Sequence, residues 1–139
     1  MKKIVAGVDA LEDVAHEVIE QMPEGVVILR GDLAAGKTTL VKAIAKILGV
    51  SEDVTSPTFS LQQCYGEKIY HYDIYNHGVE HFISLGMLEE LEREGLHFVE
   101  WGDDSLIKIL TNAGISALII DIEKMSDNKR EYRIGHAHA

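Results

Sequence analysis

Gly31-Asp32-Leu33-Ala34-Ala35-Gly36-Lys37-Thr38 satisfies the pattern G-x-x-x-x-G-K-[ST], whose chemistry is the capture of phosphate. Backbone amides of such a loop cradle the anion, the lysine reaches the β/γ oxygens and the hydroxyl beside it ligates magnesium. The helix entered at Lys37 offers further unpaired amides and a positive dipole end to the same anion. A chance strand–turn–helix could satisfy this string. The context argues otherwise, because Val26 to Leu29 is a short apolar β run and Leu40, Val41, Ala43, Ile44, Ile47 and Leu48 recur at helical spacing.

Capture alone binds a nucleotide, whereas hydrolysis also needs magnesium held from a second side and a positioned water. Two carboxylates are candidates. Glu100 follows the mostly apolar run Leu96-His97-Phe98-Val99, a form in which an acid reaches Mg2+ directly or through water. Asp73, near a strand end, is a candidate outer ligand, γ-phosphate sensor or base; either acid could instead merely cap its strand. Thr58 follows Pro57 in an extended loop, where it is either a γ-phosphate-sensing switch hydroxyl or an ordinary turn hydroxyl. Of the histidines, His77 and His81 lie four apart and His136 and His138 share the tail, yet there is no His-Glu-x-x-His and no transition-metal centre is expected. Asn128-Lys129-Arg130-Glu131 departs from the guanine-reading Asn-Lys-x-Asp by its glutamate and falls in a hairpin turn, so the guanine-reading motif is discounted.

The elements that must position these groups follow from pattern. Lys3 to Val8 predicts a first strand. Asp9 is the expected N-cap of a helix whose stripe is Leu11, Val14, Ala15, Val18, Ile19 and Met22, ended by Pro23-Glu24-Gly25. The phosphate strand, loop and helix come next, the helix stopping at Gly49 in the left-handed C′ position. Phe59–Tyr65 and Lys68–Tyr75 read as an antiparallel hairpin around Gly66-Glu67. Met87–Glu94 predicts a helix capped by Gly95, Leu96–Val99 a buried strand delivering Glu100 and Trp101, and Leu106–Leu110 a short helix. Ser116–Ile122 and Glu131–Ile134 predict a last hairpin about Ser126-Asp127-Asn128, with a frayed tail from His136 to Ala139.

These elements predict an α/β fold of the P-loop NTPase kind, a mixed sheet flanked by helices, as one domain over residues 1–139. The apolar and charged fractions, 46% and 26%, are those of a soluble globular protein, and no apolar run approaches the roughly 20 residues of a membrane helix. The start has too short an apolar stretch for a secretory leader, so a cytoplasmic protein without membrane association is expected. Cys64, the single cysteine, is expected as a small buried hydrophobe. A net charge of −10 opposes direct wrapping of nucleic acid, so any RNA is expected to be held by a partner.

With the cradle, Ser56-Pro57-Thr58-Phe59, His71-Tyr72-Asp73-Ile74-Tyr75 and Val99-Glu100-Trp101 in this order, the chain resembles the TsaE (YjeE) family over most of Gly25 to Gly102. That resemblance implies a Mg2+-dependent ATPase of tRNA threonylcarbamoyladenosine synthesis. It would dock on the TsaB–TsaD complex and meet tRNA only through it; because the chain shows no obvious arginine finger, slow turnover alone and stimulation by the partner are expected. By matching position, it implies that the Asp32, Leu33, Ala34, Ala35 and Gly36 loop holds the nucleotide and that Lys37 holds the β/γ-phosphates. Thr38 and Glu100 would bind Mg2+, and Thr39 would contact the α-phosphate. Thr58 and Asp73 would sense or position the γ-phosphate and water, Trp101 would sit against the site, and Asp9 with the Lys129-Arg130 region would contact the base. The chain departs from the family pattern at Ala34, where glycine is usual, at Asn76, where arginine is usual, and at the first helix start, which lacks a threonine. A small phosphotransferase and a non-catalytic adaptor that reads ATP against ADP are the competing readings. The scattered Arg30, Arg93, Arg130 and Arg133 make a poor kinase lid.

Overall fold

Seven strands, counted in chain order, form one sheet in the spatial order 1-7-6-2-5-4-3. In this computed structural model the described residues are 2–7, 10–31, 36–50, 62–66, 68–74, 78–126 and 128–138. The elements run β1 (Lys2–Gly7), α1 (Leu11–Gln21), β2 (Gly25–Arg30), α2 (Lys37–Ile47), β3 (Gln62–Tyr65) and β4 (Ile69–Asp73). They continue α3 (Gly78–Ser84), α4 (Met87–Glu90), β5 (Leu96–Glu100), α5 (Asp104–Asn112), β6 (Ala117–Ser126) and β7 (Lys129–Ala137).

Strands β6, β2, β5 and β4 are mutually parallel, and β1, β7 and β3 join antiparallel at the edges. The parallel centre is covered on both faces, which is why Val26, Val27, Ile28 and Leu29 form an unbroken apolar run instead of alternating. One face packs Val27, Leu29, Phe98 and Leu118 against Val14 and Val18 of α1 and Leu40, Val41 and Ile44 of α2. The other packs Val26, Ile28, Val99 and Tyr72 against Val79 and Phe82 of α3 and Leu106 and Leu110 of α5. Both stripes recur at helical spacing, so burial of these faces holds the helices in place.

Most predicted elements stand where the pattern put them. Gly49 takes φ 86 just past α2, and β3–β4 is the antiparallel hairpin. Four expectations are corrected and one element is added. The N-cap of α1 is Ala10, without a side-chain cap bond, and Asp9 lies outside the described residues. Helix α4 stops at Glu90 instead of Glu94, because Leu91 turns into the core before the chain enters β5. Helix α3 was not foreseen: it is seven residues long and buries only Val79 and Phe82, too short a stripe to register as a period. The tail does not fray at His136, since β7 stays paired to β6 as far as Ala137 and His136 Nε2 meets Gln21 Oε1 at 2.9 Å. Cys64 is exposed, because β3 is an edge strand and only its alternate residue, Tyr65, turns into the core.

Candidate functional site

Three parallel strands bring their carboxyl ends together beside the start of α2, the position at which open α/β sheets bind ligands. In register, Leu29 of β2 lies opposite Glu100 of β5, and Glu100 lies opposite Asp73 of β4. Residues 29, 98 and 100 alternate onto the face covered by α1 and α2, so Glu100 is delivered under the first turn of α2. Gly36 precedes that turn at φ 100, a left-handed conformation that glycine adopts without steric cost.

The contacts follow from this placement. Thr38 Oγ1 donates to Glu100 Oε2 at 2.8 Å. Lys37, only 3% exposed, donates from Nζ to the Gly31 carbonyl at 2.8 Å and lies 3.8 Å from the centre of the Trp101 ring. An ammonium over an indole face is held by the ring quadrupole. Trp101 reaches it through an unusual backbone: its N–H still pairs with the Leu29 carbonyl at 3.0 Å, after which the residue turns to φ 71. Such a left-handed bend costs a non-glycine residue about 1–2 kcal/mol. Gly102 completes the turn where a Cβ would lie 2.5 Å from Ile28 Cγ2, so no larger residue fits behind the tryptophan.

Glu100 is itself 3% exposed, and its second donor is a residue that sequence reasoning passed over. His71, wholly buried, places Nε2 in hydrogen-bond contact with Glu100 Oε2. It stands two residues before Asp73 on β4, hence on the same face of the strand. That spacing from a candidate acid was the available signal.

The remaining expectations divide. Asp73 is half-buried at the strand end beside Glu100. Thr39 and Arg130 line a cavity of about 150 Å³ with Gly7, Leu11, Gly36, Asn128 and Tyr132, so the last hairpin and the first helix do meet at the start of α2. Asp32, Leu33, Ala34, Ala35 and Thr58 lie outside the described residues, as does Asn76. Arg30, at the end of β2, donates to Asp121 at 2.7 and 3.0 Å and to Asp104 at 2.8 Å. Its hydrogen bonds to Asp121 hold its pKa above the usual arginine value.

A hydroxyl and an ionisable carboxylate in contact are hard oxygen donors, the set that suits Mg2+. Among the described residues no three His, Cys, Asp or Glu side chains converge on a metal position. Mg2+ characteristically takes one or two carboxylates and completes its shell with phosphates and water, so the donor set fits it.

A mixed sheet between two helical layers, with its central strand running into a glycine-capped helix, defines the class: a P-loop NTPase-type α/β fold. Residues 5–132 match the family model described as "Threonylcarbamoyl adenosine biosynthesis protein TsaE", and the chain belongs to the TsaE family. It is 35% identical over 112 residues to the tRNA threonylcarbamoyladenosine biosynthesis protein TsaE of Treponema pallidum, covering 78% of this chain and 80% of that one. To its Bacillus subtilis counterpart it is 36% identical over 112 residues, 78% of this chain and 68% of the other. The Rickettsia felis relative is 36% identical, and the match spans 63% of its length. Among solved structures, Bacillus subtilis YdiB superposes with a TM-score of 0.66 at 26% identity, covering 99% of this chain and 87% of that one.

Proposed function

We propose that this chain is the ATP-binding and ATP-hydrolysing component of tRNA threonylcarbamoyladenosine synthesis, a single Mg2+-dependent domain working in the cytoplasm. The observation that carries this reading is the 2.8 Å contact between Thr38 Oγ1 and Glu100 Oε2, which joins the end of the phosphate-binding sequence to the acid of the neighbouring strand. Lys37 binds the β/γ-phosphates after leaving the Gly31 carbonyl and the indole, and the loop from Asp32 to Gly36 surrounds them with amides. Thr39 contacts the α-phosphate, and Arg130 with its neighbours in the small cavity meets the base end. Thr38 and Glu100 hold Mg2+, which when bound neutralises charge developing on the transferred phosphoryl group. Asp73 and Thr58 position the attacking water and the γ-phosphate.

Arg30 is committed to Asp121 and Asp104, Arg93 to Glu90 and Arg133 to Glu123 and Glu131, an arrangement that supports slow turnover by the isolated chain and acceleration by a docked TsaB–TsaD complex. With a net charge of −10, the chain meets tRNA only through those partners. The test is Glu100→Ala in the purified protein. Nucleotide affinity measured without Mg2+ should match the parent, and phosphate release, alone or with TsaB–TsaD, should fall at least about 100-fold. Parental turnover in that variant removes Glu100 from the reaction.

A further inference from the structure

We infer that His71 is a positioning residue for the cation site, its imidazole N–H fixing the Glu100 carboxylate in the orientation that meets Thr38. This inference rests on the reading of Thr38 and Glu100 as the Mg2+ ligands.

A buried carboxylate must have its lone pairs satisfied, and the same Glu100 oxygen meets both Thr38 Oγ1 and His71 Nε2. A carboxylate only accepts, so Nε2 carries the hydrogen. The imidazole is itself fixed from behind. Its Nδ1, the acceptor nitrogen of that tautomer, lies 3.4 Å from the Tyr65 hydroxyl, whose one hydrogen can go to Nδ1 or to Gln63 Oε1 at 3.2 Å, and Tyr65 is 1% exposed. Thus β3, β4 and β5 form a chain of contacts, Gln63–Tyr65–His71–Glu100–Thr38, that ends on the first turn of α2. A histidine kept only to fill core volume has no need of a donor aimed at this acid. Mg2+ demands near-ideal geometry from few protein ligands, and outer partners that orient such ligands typically control metal affinity by about 10- to 100-fold.

The experiment compares full-length parent, His71→Leu and His71→Gln. Affinity for a non-hydrolysable ATP analogue is measured by calorimetry in EDTA and again across a MgCl2 series. The Gln amide nitrogen can take the place of Nε2, whereas Leu removes the donor. The parent's tightening by Mg2+ should shrink about 10- to 100-fold in His71→Leu while its affinity in EDTA is unchanged, and His71→Gln should stay within about threefold of the parent. Should His71→Leu not fold, His71→Asn, whose amide is too short to reach Glu100, takes its place with the same expectation. Undiminished tightening in the donor-less variant, equal loss with and without Mg2+, or a Gln variant no better than Leu would overturn the role of His71. A parent that binds the analogue with no Mg2+ dependence would instead overturn the assignment of Thr38 and Glu100, and this inference with it.

Discussion

His71 of β4 and His97 of β5 are both wholly buried on neighbouring strands, and because Tyr70 pairs with His97 and His71 with Phe98, the two rings leave the sheet on opposite faces. On the α1/α2 face, His71 donates to Glu100, the buried carboxylate that Thr38 also meets. On the other face, His97 is enclosed by neutral partners. Its Nε2 meets the Arg93 carbonyl at 2.8 Å, its Nδ1 meets the Tyr72 hydroxyl at 2.7 Å, and Tyr70 stacks on it at 4.5 Å. Burial lowers its pKa, with the Arg93 carbonyl and Glu90 acting in the other direction. Burial likewise raises the Tyr72 hydroxyl above the usual tyrosine range. The difference teaches that burial does not distinguish a site histidine from a structural one; the chemistry of the groups that the ring nitrogens meet does.

That contrast can be broken most severely at Lys37. Lys37→Ala removes a charge-assisted contact worth about 1.5–3 kcal/mol, so ATP affinity should fall about 10- to 100-fold with the melting temperature nearly unchanged, as calorimetry and thermal denaturation will show. The mirror-image change is Tyr72→Phe, which leaves His97 Nδ1 and the Gln62 amide without the shared hydroxyl. Stability should drop by about 1–3 kcal/mol in urea titration, with nucleotide affinity intact. If instead Tyr72→Phe impairs binding, the two faces are not separate.

Acid provides a gentler separation. Because His97 binds a proton less readily in the native state than when unfolded, its contribution is present above about pH 6.5 and is lost as pH falls below it. Melts between about pH 7.5 and 5.5 should record that decline, and His97→Gln should flatten it. The smallest expected effect is optical. Trp101 is the chain's sole tryptophan, and nucleotide that draws Lys37 from the ring should shift its emission, a shift absent in Lys37→Ala.

Much of the architecture was legible because its determinants are local. The Val26–Leu29 run, the glycine-lysine-threonine sequence and the stripe from Leu40 to Ile47 fall within one continuous stretch, and the acid after Phe98-Val99 could be placed at a strand end from its neighbours alone. What escaped depends on contacts distant in the chain. His71 gains its role from Glu100, 29 residues away, and β7 persists past His136 because it stays paired to β6, with Ala137 opposite Ala117. The left-handed turn at Trp101 likewise goes with its pairing to Leu29 and the close approach of Gly102 to Ile28, neither of which a propensity scale records.

If the chain binds a triphosphate as proposed, the clasp of Arg30 by Asp121 and Asp104 bears on how that ligand would first arrive. The guanidinium nearest the loop in sequence has its field cancelled at the surface, and the molecule as a whole carries −10. On the proposed function, a negatively charged triphosphate and a chain of net charge −10 would repel at long range. Added salt, by shortening the reach of that repulsion, should speed the encounter, the reverse of what a basic phosphate-collecting surface displays.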